Sequence, residues 1–530
     1  MNNRRNTGRE LTIARTRSSA LPPVGPFAKD DAAGVYFKHF ECHVSHVLPG
    51  VGTKFPNIIR SSASLYCAVL CLSASSLAML DAPVQSRQIF RDRRRSVFSP
   101  IANAVHYNQA RKYHDLAVAS LRSEGASGKS ASYAAALVTK VLLAIYHHAS
   151  TDHLKFQMAV DETNHFVLER TEAFTESSEG REALQMWHRL SVSSRTSRRP
   201  TLLTEDEANV CSRSDPGFYN AIERLHLTCI LDMTSDDLIY DILVKTIELR
   251  SRAVVFRTVS GVSNVSDQSQ GLGNLAHQYL DRLLGCRSNE KEYKEAEMTF
   301  VRGPHLISLL RTQQDRLSVW KSRLDTAQLP PEIWDCESPR SSSAAGIDFP
   351  AFPCHRDAMN ALYYFLCQIM MATLQESGSL PISPTASSQS YITRLEETVR
   401  RMLRILDLLD FSASSTSDVY TFSLAEVLLQ LALTWHSSTT FQHILDVTWP
   451  RIEAGGRGFE HSHYPTHLAK RVITLIADQL SQGRAVTYAS LAVENSVPKL
   501  QLLTIGRPVD LMICGHCIDG KYFIQRTSLP

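Results

Sequence analysis

A chain of 530 residues with 43 % hydrophobic and 21 % charged side chains has the composition of an ordinary globular protein, which excludes wholesale disorder and leaves ample apolar material for a large core. Eleven cysteines, an odd number at irregular spacing, make no disulfide framework, and no secretory apolar region opens the chain, so a reducing intracellular compartment is expected. The net charge of +3 is modest, and the excess sits at the front, where Arg4, Arg5, Arg9, Arg15, Arg17 and Lys29 face only Glu10 and Asp30.

Residues 1–33 therefore read as a disordered basic tail; its arginine- and serine-rich, acid-poor composition also has a mitochondrial presequence character. Ser61 to Leu80 contains no charge and is long enough to span a bilayer. Its six serines lower the hydrophobicity too far for that, and a buried helix of small residues is expected instead. Arg91, Arg93, Arg94 and Arg95 then form a basic cluster suited to phosphate contact or nuclear import, with a solvated loop face as the alternative.

Helical stripes follow. Ala110, His114, Ala117 and Leu121, then Ala134, Leu137, Val138, Val141 and Ile145, recur at the spacing of one helix face. Between them Gly128-Lys129-Ser130 imitates a phosphate loop, but the first glycine of that loop would have to stand at Ser123. A serine-rich break near 192–215 carries a second basic group, Arg195, Arg198 and Arg199. Residues 227–249 interleave aspartates with large apolar side chains and read as an amphipathic helix pair. Further long loops are expected near 258–271, 337–350 and 376–390, where serine, glycine and proline cluster.

Gly271, Gly273 and Ala276 have dinucleotide-fingerprint spacing, yet the polar residues 266–270 before them make no buried strand. More helices are marked by Met402, Ile405, Leu406 and Leu409, by Leu424, Val427, Leu428, Leu431 and Trp435, and by Leu468, Val472, Leu475, Ile476 and Leu480. His461, His463 and His467 cluster around Pro465, which starts a helix more naturally than it continues one, so they are not expected to share a helix face around a metal. At the end, Asp519-Gly520 is a hairpin signal between 509–513 and 521–524. It places Cys514 and Cys517 on or beside a strand, as structural cysteines rather than a redox or zinc pair.

The expected fold is all-α: one helical region over 34–500 and a small C-terminal β-hairpin extension over 501–530. No catalytic residue, metal ligand or cofactor is assigned, since the chain contains neither a G-x-S-x-G nor an H-E-x-x-H spacing.

The order of these segments resembles a known family. Residues 36–44 (YFKHFECHV), 71–78 (CLSASSLA), 104–121, 134–149, 429–436 (LQLALTWH) and 449–457 (WPRIEAGGR) are similar to the fungal-specific transcription factor domain, the helical regulatory region of zinc binuclear cluster regulators. The resemblance covers 34–500 in outline and rests on loose apolar patterns. It implies a nuclear regulator of a secondary-metabolite gene cluster, with dimer contacts and no membrane association. Family members usually carry a six-cysteine module whose two zinc ions hold a helix in the major groove. No such spacing occurs here: the first cysteine is Cys42, and Cys67 and Cys71 fall on a buried-looking helix. The resemblance therefore implies action through partners, namely a DNA-binding transcription factor and the transcription machinery. Two other readings are an all-helical enzyme using scattered groups such as His147, His148 and Asp152, and a ligand-binding or scaffold protein of the same kind of pathway.

Overall fold

The structure is a computed structural model that describes residues 31–48, 62–80, 84–88, 97–100, 103–126, 133–150, 152–194, 233–263, 303–334, 352–376, 386–411, 420–455, 466–491 and 509–529, with isolated residues between them. Helices dominate, as the apolar spacing predicts, and they gather around two cores.

The first core is built by α1 (Asp31–His39, continued by a π-helical turn over Phe40–Val44), α2 (Ala63–Leu80), α3 (Ala104–Ala126), α4 (Tyr133–Ala149), α5 (His153–Leu168), α6 (Thr171–Glu176) and α7 (Ser178–Ser193). Helix α2 is buried on nearly all sides, which explains why its sequence lacks charge and a polar face. Its small residues let α3 and α4 pack closely. The serines that argued against a membrane span are used internally: Ser62 and Ser64 donate to the Glu124 carboxylate at the end of α3, and Ser76 pairs with His39. Among the described residues, no helix is long and apolar enough to cross a membrane.

The second core surrounds α8 (Ser235–Ser263), with α9 (Gly303–Ser322), α10 (Pro331–Trp334), α11 (His355–Glu376), α12 (Ala386–Leu408), α13 (Leu424–Thr434), α14 (Ser438–Gln442, continued by a π-helical stretch over His443–Thr448), α15 (Trp449–Gly455) and α16 (Thr466–Ser481). Leu424, Val427, Leu428 and Leu431 point into it, as do Met402, Ile405, Leu406 and Leu409. Helix starts follow local chemistry. Ser423 and Glu426 form a reciprocal capping box on α13, Asp152 caps α5 through the Lys155 amide, and Ser177 caps α7 through the Gly180 amide.

Several boundaries differ from the sequence reading. Helix α1 begins at Asp31 and buries Ala33, so order starts before residue 34. Helix α8 runs through 258–263 because Thr258 and Val259 face the core. The run from 386 opens α12 instead of extending the loop. A short hairpin pairs β1 (Val84–Gln88) with β2 (Val97–Pro100). The C-terminal hairpin is two-thirds of an antiparallel sheet in the order β3 (Arg484–Leu491), β4 (Val509–Cys517), β5 (Tyr522–Leu529). The sheet is no appendage: Val486, Val509, Leu511, Ile513 and Leu529 complete the second core. Gly520, at a φ of +80°, makes the turn between β4 and β5.

Candidate functional site

The two cores meet along α7, whose Met186, Trp187 and Leu190 enter the first and whose Val192 enters the second. At this junction buried polar groups from distant segments converge. Arg189 donates to Asp237 at 3.2 Å and stacks its guanidinium 3.1 Å from the Tyr240 ring centroid. Asp237 is itself held by Thr234, which caps α8. One step further, at the surface, Asp236 accepts from Arg356 and Asn360 of α11. His355 lies 3.0 Å from Asp418, both nearly buried, and the Tyr363 hydroxyl donates to the Phe422 carbonyl. Beside Arg189, a cavity of about 20 Å³ is lined in part by His148, Ser193 and Tyr420. That is room for a water molecule, not for an organic substrate.

Electrostatics point the same way. Burial pushes the Tyr240 and Tyr363 hydroxyls well above the ordinary tyrosine range. Burial also raises Glu426 to about 8 against the opposing hydrogen bonds from Ser423, so it holds its proton at neutral pH. Near the sheet, burial lowers His436 to about 4, leaving it a neutral imidazole bonded to the Val486 carbonyl. These groups are kept uncharged, and others nearby are paired. Such an arrangement fixes the relation of the two cores.

No family model, curated protein or solved structure matches the chain.

Glu426 gives the junction a pH signature. An acid whose folded pKa lies above its unfolded value stabilises the fold fully below the unfolded value, and that contribution fades as pH rises through the folded one. The urea-unfolding free energy is expected to fall by about 2 kcal/mol from about pH 6 to about pH 7.5 through this group. Glu426→Gln should flatten that decline; an unchanged slope in the variant would show that Glu426 ionises normally.

The groups singled out in the sequence do not form one site among the described residues. Arg91, Arg93, Arg94 and Arg95 belong to the segment between β1 and β2, and Arg195, Arg198 and Arg199 follow α7; all seven lie outside the described residues. So do Gly128, Gly271, Gly273, His461 and His463. His147, His148 and Asp152 do not converge. His147 meets α3, His148 stacks on Phe156 at 4.4 Å, and Asp152 caps α5. Cys514 and Cys517 are three residues apart on a strand, hence on opposite faces, and burial pushes Cys514 up to about 12. Burial, aided by the Glu124 carboxylate, raises Cys67 to about 11. Cys67 and Cys514 are buried packing residues, and Cys517 is half-buried at the end of its strand.

The junction residues escaped the sequence reading for a simple reason. Arg189 and Asp237 are 48 positions apart, and His355 and Asp418 are 63. Only the S-x-x-E spacing of Ser423 and Glu426 was there to be read.

Proposed function

We propose that the protein is a transcriptional regulator or co-regulator of a fungal secondary-metabolite gene cluster. It acts in the nucleus through a DNA-binding transcription factor and the transcription machinery, as a homodimer or a heterodimer. The observation that carries this reading is the ordered set of segments similar to the regulatory domain of zinc-cluster regulators. Their described residues are helical along 36–44, 71–78, 104–121, 134–149, 429–434 and 449–455. The buried junction adds weight, because two cores clamped by paired charges and neutral hydrogen bonds suit a scaffold for partners better than a site turning over a substrate. With no six-cysteine spacing in these 530 residues, promoter contact is assigned to the partner. Deleting the gene is expected to shift the transcripts of neighbouring biosynthetic genes together, as measured by transcript sequencing under producing conditions.

A further inference from the structure

Away from the junction, α3 and α4 bring two imidazoles together on the flank of the first core. His114 of α3 and His147 of α4 have their Nε2 atoms 3.3 Å apart, with ring centroids 5.0 Å apart and planes crossed at 69°. On the other side of its ring, His114 Nδ1 lies 3.0 Å from the Asp115 carboxylate. A carboxylate accepts and does not donate, so Nδ1 carries the proton and His114 Nε2 carries a lone pair. This is the tautomer of a metal-binding histidine, held by a carboxylate behind it.

The distances match those of a ligand pair. Two nitrogens each about 2.05 Å from a tetrahedral zinc ion stand about 3.3 Å apart, with their ring centroids about 5.2 Å apart. A head-on N–H···N contact of that length would put the centroids about 5.6 Å apart. The observed 5.0 Å is nearer the first value than the second, as rings inclined to one another give. His114 and His147 are both partly exposed, which leaves an ion a way in from solvent.

We propose that His114 and His147 bind a divalent transition-metal ion of the zinc class, with Asp115 as the positioning residue for His114. No third histidine, cysteine or carboxylate converges on the pair among the described residues. Water fills the remaining positions, and the ion is exchangeable, unlike that of a closed structural centre. Bound there, it ties α3 to α4. Copper(II) and nickel(II) suit the same nitrogens, and copper(II) should bind more tightly than zinc.

The test is calorimetric titration of zinc chloride into the full chain after chelator treatment and dialysis. With 20 histidines and 11 cysteines in the chain, the decisive quantity is the difference in stoichiometry between wild type and variants. His114→Ala and His147→Ala should each remove one equivalent. Asp115→Ala should keep that equivalent and weaken it about 10- to 100-fold. Zinc should also raise the melting temperature of the wild type more than that of either histidine variant. Far-ultraviolet circular dichroism without metal checks folding, and His147→Gln replaces His147→Ala if the latter fails. Equal uptake by wild type and both histidine variants, or no uptake by the wild type, overturns the site and leaves an imidazole contact only. Unchanged affinity in Asp115→Ala overturns the role of Asp115.

Discussion

Gly515→Ala is expected to cost about 3 kcal/mol or more and to loosen the C-terminal sheet. A methyl group on Gly515 would stand 1.9 Å from the Ala485 carbonyl oxygen and 3.0 Å from the Val486 Cα. Both neighbours are backbone, so no side chain can rotate away. The site lies opposite a register shift between Val486 and Tyr488 of β3, where the strands approach closely. Gly515 thus accounts for the glycine between the two cysteines of 514–517: it serves strand pairing. Because Val486, Leu511 and Ile513 belong to the second core, the loss should appear as a lower urea midpoint for the whole transition. Gly34→Ala is the internal control. It lies in α1 with nothing within 4 Å of the added methyl, and it should be neutral or stabilising by up to about 1 kcal/mol. Equal midpoints for Gly515→Ala and wild type would mean that β3 and β4 are not paired in this register.

Asp241→Ala is expected to cost about 3–5 kcal/mol. The carboxylate is almost wholly buried in α8 and takes Lys245 at 2.8 Å and Arg316 of α9 at 2.6 Å on one oxygen. Burial alone would raise its pKa, but the two cations outweigh burial and bring it to about 2. Removing it leaves two positive groups facing each other at a largely desolvated site. For an acid with a depressed folded pKa, the stabilisation is present above the unfolded value of about 4 and is lost as pH falls through the folded one. The wild type should therefore lose stability between about pH 4 and about pH 2 through this group, and the variant should lack that share of the acid transition. An Asp241→Ala protein as stable as wild type at neutral pH would show that α8 and α9 do not meet through this pair.

The helices around the cores were legible in the sequence where one face is buried and the other wet. Met402, Ile405 and Leu406 are buried on α12 while Arg400 and Arg404 face solvent, and Ala110 and Ala117 are buried on α3 while Arg111 and Asp115 face solvent. Asp519-Gly520 likewise announced its turn through the need for a positive φ. Helix α8 was harder: Leu238, Ile239, Tyr240, Ile242, Leu243 and Val244 are buried on several sides, which blurs any period. Strand β3 hid because its register shift at Thr487 breaks the alternation that marks a strand. The polar junction and the His114–His147 pair depend on helices meeting in space, and no spacing along the chain encodes such meetings.

A function exercised through partners predicts a broad and coordinated effect, whereas a lost enzyme blocks one step. Transcript sequencing of a gene-deletion strain, paired with metabolite profiling of the same cultures, separates the two most directly. A regulator predicts that transcripts of the neighbouring biosynthetic genes change together and that no single intermediate accumulates. Unchanged transcripts alongside accumulation of one intermediate would contradict it and assign the chain to the chemistry of the pathway.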